Sequence, residues 1–152
     1  MPDLIPLARK LGVVVVVNPT HLTLGELAMR RFGPDMMKGR QPIRSLLKAG
    51  VPLAIGSDGE MNPFLNIMLI STFPGRPTEA LTRQEAIIAY TAAAAFAEFG
   101  ERQKGTLEPG KLADLTVLTQ DILTSPMQEL PKTQSVLTIV GGNIVYRSEE
   151  RR

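Results

Sequence analysis

Leu4, Leu7, Ala8 and Leu11 recur at helical spacing, which predicts a short helix with Asp3 as its cap and Gly12 as its end. Val13 to Val17 then form an unbroken aliphatic run. A run that is apolar on both faces predicts a strand in a parallel sheet covered on both sides, and Asn18-Pro19 stops it. Thr23 and Glu26 have the spacing of a capping box for a helix reaching about Phe32, where Gly33-Pro34 breaks the chain. Ile43, Leu46 and Leu47 mark another short helix, closed by Gly50. Residues 51–56 form a second apolar strand leading into Gly56-Ser57-Asp58-Gly59.

Asn62-Pro63 is a helix start with proline at the first helical position, and that helix is expected to reach Ser71. Thr82 and Glu85 make a second capping box. The helix after them carries Ala86, Ile87, Tyr90, Ala93, Ala94 and Ala97 on one face and is expected to end at Gly100. Its run Ala92 to Ala95 is small enough for close packing. From Gly105 the pattern changes to short strands and turns, with Leu112 to Leu118 extended and Pro126 and Pro131 bracketing a loop. Val136–Val140 and Asn143–Tyr146 flank Gly141-Gly142 as a hairpin.

The order is therefore a βα series with two strands, followed by a small β region. Two parallel strands do not make a covered sheet, so the chain reads as beginning inside a domain. Its 152 residues, 43% hydrophobic and 21% charged, fit one globular unit rather than a disordered chain. A formal charge of +2 with scattered Lys and Arg leaves no electrostatic footprint for nucleic acid. The valine run is too short to span a membrane, and Asn18-Pro19 stands where a signal peptide would have small residues. No membrane partner is expected.

There is no cysteine, which excludes disulfides, zinc–thiolate sites and cysteine nucleophiles and fits a cytoplasmic location. The one histidine, His21, cannot by itself supply the two or three imidazoles that most catalytic zinc sites use. Asp58 stands at the C-terminal end of the second strand, where parallel α/β folds gather their active sites. A carboxylate there can accept a proton from water; equally, it can cap the turn that follows. His21, four residues past the first strand, is either a pocket residue or a surface or capping histidine. Ser57 lacks the flanking pattern of a nucleophile elbow.

Gly12-Val-Val-Val-Val-Val-Asn-Pro-Thr-His21 and the segment Pro42 to Asp58 together resemble the last strands of a type-3 amidohydrolase barrel. Thr82–Thr91 is similar to that family's helix after the barrel. Lys104–Leu118 is similar to the passage entering its β-sandwich, and Thr138–Tyr146 to its final hairpin. The resemblance covers nearly the whole chain in the right order. It implies an α/β fold: the C-terminal βα units of a TIM-type barrel in residues 1–103, and part of a composite β-sandwich in 104–152. Val13–Val17 and Val51–Ile55 would be the seventh and eighth strands.

Asp58 then matches the family's aspartate at the end of strand eight, which binds the metal or its water and moves the proton during hydrolysis of an amide or cyclic amide. The implied cofactor is a divalent metal, zinc first among the candidates. The implied substrate is a small molecule, with Ser57 and His21 in its pocket. The family's His-x-His pair, its other histidines and its bridging Lys or Glu have no counterpart in these residues. The expected partner is accordingly the N-terminal part of the barrel or another copy of the chain. The alternative is a non-catalytic, self-associating module.

Two strands cut from a closed barrel leave edges and apolar surface open. Each exposed valine forfeits roughly 1.5–3 kcal/mol of burial, against a total stability of about 5–15 kcal/mol for a domain. The isolated chain is expected to be marginal, oligomeric or rearranged. A monomer in dilute gel filtration that melts cooperatively would contradict this.

Overall fold

The computed structural model describes residues 2–149, leaving out the side chains of residue 2 and residues 35–38. Helix α1 (Ile5–Lys10) leads through Gly12 into strand β1 (Val15–Val17). Helix α3 (Ile43–Lys48) leads in the same way through Gly50 into β2 (Leu53–Ile55), with α2 (Gly25–Lys38) between the two units. Helix α4 (Pro63–Thr72) crosses to α5 (Arg83–Tyr90) and α6 (Ala92–Ala97). Strands β3 (Leu115–Leu118), β4 (Ser135–Val140) and β5 (Asn143–Arg147) complete the chain.

β1 and β2 pair in parallel, Val15 beside Leu53 and Val17 beside Ile55. Both are shorter than the aliphatic runs predict, and one physical cause accounts for both. Gly12 (φ 67°) and Gly50 (φ 75°) take the left-handed conformation that closes a helix. The next amide then reaches back: Val13 N–H donates to Ala8 O, and Val51 N–H to Leu46 O. Those amides satisfy helix carbonyls and are lost to the ladder, which starts at Val15 N–H donating to Pro52 O and ends at Gly56 N–H donating to Val17 O.

The strands differ in burial. β2 is buried along its whole length, packed with Ile43, Leu46, Ile67, Ile70, Leu81 and Leu130. In β1, Val16 stays 58% exposed. The covered-on-both-faces environment predicted for Val13–Val17 is therefore not formed within the described residues.

Two other expectations give way at helix ends. Asp3 does not cap α1; it lies in a 3₁₀ turn, and the capping position falls to Leu4, which makes no side-chain cap. The Thr23–Glu26 box does not form either. Pro19 starts a 3₁₀ turn running to Leu24, and inside it the Thr23 hydroxyl donates to Thr20 O at 2.7 Å. Helix α2 starts only after that turn and breaks at Gly33 (φ 75°, ψ 172°), ahead of Pro34.

The other cap signals hold. Asn62 Oδ1 accepts from Phe64 N–H and Leu65 N–H, and Thr82 with Glu85 forms a complete capping box. Burial pushes the Glu85 carboxyl up, but hydrogen bonds from Thr82 and the Arg44 guanidinium outweigh it and hold the group below its usual range. The single long helix expected from Thr82 to Gly100 is divided at Thr91 (φ −119°, ψ −86°). Its alanine run does permit close packing: a Cβ on Gly105 would meet Ala95 Cβ at 2.7 Å and Ala92 Cα at 3.0 Å.

β3, β4 and β5 form an antiparallel sheet in that order, with Gly141 and Gly142 at positive φ in the β4–β5 hairpin. Every residue of β5 is exposed. The segment between β3 and β4 returns to the helices. Arg83 donates to Ile122 O and Ser125 O, Asn62 Nδ2 donates to Pro131 O, and Leu130 is fully buried.

Gly100 is the expected end of α6, yet Phe99 takes the left-handed position (φ 62°) while remaining 92% exposed. A side chain there costs roughly 1–2 kcal/mol that glycine avoids, less the extra chain entropy glycine loses on folding. Phe99→Gly is expected to raise stability by about 1 kcal/mol, read as a higher denaturant midpoint. An unchanged or lower midpoint would contradict this reading of the turn.

Candidate active site

The two strand tips lie side by side because the strands are parallel and in register. After β1 the chain enters the 3₁₀ turn Pro19–Leu24, whose first residue is buried and whose third is His21. After β2 it enters Gly56-Ser57-Asp58-Gly59. The two loops are in direct contact. Thr20 Oγ1 donates to Ser57 O at 2.8 Å. A Cβ on Gly56 would lie 2.6 Å from Asn18 Oδ1, and one on Gly59 would lie 2.9 Å from Thr20 Oγ1. The absence of a side chain at these two glycines leaves room for Asn18 and Thr20 of the facing loop.

This packing brings together the residues singled out in the sequence. His21 Nε2 lies 3.4 Å from Asp58 Oδ2. The Asp58 side chain is 75% exposed and that of His21 35%. Asp58 sits at φ 43°, a left-handed position that lifts its carboxylate off the end of β2. Among the described residues no backbone amide donates to that carboxylate, so it does not act as a turn cap. The Ser57 hydroxyl is turned to Met61 Sδ at 3.6 Å.

A cleft of about 280 Å³ opens on another side of His21. Leu22, Met29 and Phe73 give it apolar walls, and Arg40, Gln41 and Arg76 bring polar groups. Asn18 and Thr20, which hold the loops together, flank His21 in Asn18-Pro-Thr-His21, so their neighbourhood is visible in the sequence but their roles are not. Arg40 and Arg76 come from separate connections, and nothing in the sequence pattern joins them to His21.

Among the described residues no group of three or more His, Cys, Asp or Glu side chains could hold a metal ion. His21 and Asp58 offer one imidazole and one carboxylate. Both are acceptable zinc donors, but a catalytic site needs three protein ligands. The donors present do not complete a metal site. No helix of the described residues is long and apolar enough to cross a membrane.

The chain is 33% identical over 152 residues to the Arabidopsis thaliana protein Long After Far-Red 3, covering 90% of this chain and 25% of that protein. It is 32% identical over 147 residues to an N-substituted formamide deformylase of Arthrobacter pascens, covering 90% and 27%. Its fold is similar to that of a Xanthomonas campestris adenosine deaminase solved with bound zinc, with a TM-score of 0.73, 24% identity, and 99% and 36% coverage. The chain thus spans about a quarter of the length of the curated relatives it matches. Residues 2–146 match the family described as Amidohydrolase family, and the chain belongs to it.

Proposed function

We propose that this chain forms one wall of the active site of a metal-dependent hydrolase that breaks C–N bonds of amides or cyclic amides. The observation that carries the reading is an exposed carboxylate, Asp58, at the C-terminal tip of a buried parallel strand and 3.4 Å from the one imidazole of the sequence. One relative supports the bond class by name, the N-substituted formamide deformylase. In this reading β1 and β2 are the seventh and eighth strands of a TIM-type barrel within residues 1–103. Residues 104–152 belong to the β-sandwich beside it.

Asp58 is the proton acceptor for the attacking water and returns that proton to the departing nitrogen. A carboxylate in solvent contact, at hydrogen-bonding reach of a bound substrate, can do both. His21 holds one face of Asp58 and forms part of the substrate pocket, and the Ser57 backbone fixes the loop through Thr20. The cofactor proposed for the complete enzyme is a divalent metal, zinc first. Because the donor set of these residues is incomplete, most of its ligands come from other barrel strands.

A second reading has its own observation. Leu4, Leu7, Leu11 and Val16 are exposed on the α1–β1 side, and Ile144, Val145 and Tyr146 are exposed on β5. These surfaces suit a self-associating, non-catalytic module.

Joined to N-terminal barrel segments of the kind its relatives carry, the chain is expected to take up divalent metal in stoichiometric amount and to hydrolyse amides. Asp58→Asn is expected to lower the rate about 10²–10⁴-fold without changing the assembly. Full activity of Asp58→Asn would remove Asp58 from the mechanism. An assembly that forms but takes up no metal would favour the module.

A further inference from the structure

We propose that the cleft beside His21 is a subsite for a small-molecule anion carried on a short apolar body, with Arg76 as its anchor. This rests on the hydrolase reading, since His21 is the wall that the cleft shares with Asp58. Arg40 and Arg76 line the cleft together with Gln41, and among the described residues no Asp or Glu lines it. A planar guanidinium fork matches a carboxylate or phosphate oxygen pair. Leu22, Met29, Phe73 and Pro74 supply the apolar walls. Its volume of about 280 Å³ lies just below the usual ~300–1,000 Å³ of a whole ligand site. It therefore holds part of a substrate and leaves the reactive bond towards Asp58.

Arg76 is held in place for this role. Its guanidinium donates to Arg40 O and lies 3.7 Å from Glu79 Oε1. The first contact engages one of its five donors, the second is an ion pair beyond hydrogen-bond distance, and the side chain remains 32% exposed. Glu79 in turn is buried and accepts from Ser45 N–H at 2.9 Å and the Ser45 hydroxyl at 2.6 Å. The carboxylate beside Arg76 is thus tied to the start of α3, which holds the arginine in place.

Backbone strain points the same way. Among the described residues four non-glycine positions have positive φ: Gln41, Asp58, Phe73 and Phe99. Gln41 and Phe73 line this cleft and Asp58 stands across His21 from it. Left-handed non-glycine residues persist where surrounding structure holds them, often at ligand sites. Phe73 is also the left-handed cap that ends α4, while Gln41 and Asp58 lie in the connections next to His21.

The single histidine gives a clean reporter. The chain labelled at the His21 ring is titrated with hexanoate, with the uncharged hexanamide and with inorganic phosphate, following the ring resonances by NMR. Hexanoate is expected to shift the ring saturably, with at least tenfold higher affinity than hexanamide or phosphate. Arg76→Gln is expected to abolish the preference for hexanoate over hexanamide, with an unchanged circular dichroism spectrum. Arg76→Lys, which keeps the charge, retains the preference. Equal binding of hexanoate and hexanamide by the wild type overturns the proposal. Phosphate binding as tight as hexanoate overturns its apolar part.

Asp58→Asn should bind hexanoate no more weakly than wild type. Hexanoate selectivity without hydrolysis in the completed enzyme would sink the catalytic reading and leave the subsite. Hydrolysis that depends on Asp58, without hexanoate selectivity, would sink the subsite alone.

Discussion

The arrangement depends on one constraint: two short parallel strands, each entered through a glycine in the left-handed conformation, held in register so that their tips coincide. Parallel pairing puts both C-terminal ends on one side. A shift of one residue would turn every side chain of β1 to its other face, putting exposed Val16 where Val15 and Val17 pack against the core. That asymmetry favours the observed register, and the register fixes where Asn18–His21 meets Gly56–Gly59. The 3.4 Å approach of His21 to Asp58 follows from that packing and from little else.

Around this pair the molecule is unevenly finished. The side towards α3, α4 and α5 is closed by a continuous apolar core and by polar clamps at element ends: Arg44 to Glu85, Ser45 to Glu79, and Asn62 to Pro131 O. The side of α1 and β1 presents Leu7, Leu11, Val13 and Val16 outward. Between α5–α6 and the β3–β5 sheet there is an open cleft of about 700 Å³ with Tyr90, Ala94, Leu115 and Ile139 on its walls. Exposed apolar surface on this scale marks a place of association. Residues 2–146 match the family, and the chain spans about a quarter of the length of the curated relatives it matches.

Much of this is legible in the residues. Aliphatic runs locate both strands, Asn62-Pro63 and Thr82–Glu85 locate two helix starts, and Gly141-Gly142 locates the hairpin. What escapes has physical causes. The aliphatic runs overstate the strand lengths because Val13 and Val51 give their amides to helix carbonyls, an exchange invisible in hydrophobicity. Thr23–Glu26 has the spacing of a capping box, but Pro19 imposes a tighter turn in which Thr23 finds Thr20 O instead. Phe99 takes a position that residue preference assigns to the glycine beside it. At the site, the chemistry of Asp58 and His21 is visible residue by residue. Their proximity is not, because it depends on strand register, and Arg40 and Arg76 reach the cleft from connections with no shared pattern.

The most direct measurement exploits the absence of cysteine from the chain. A Cβ on Gly59 lies 3.3 Å from Thr20 Cβ, close to the roughly 3.5–4.5 Å that a disulfide spans. The Thr20→Cys, Gly59→Cys double variant should close an intramolecular disulfide nearly quantitatively under mild oxidation in dilute native buffer, read by non-reducing mass spectrometry. Reaction only between chains, or only after denaturant is added, would show that the two strand tips are not held together, and the proposed site would fall with them.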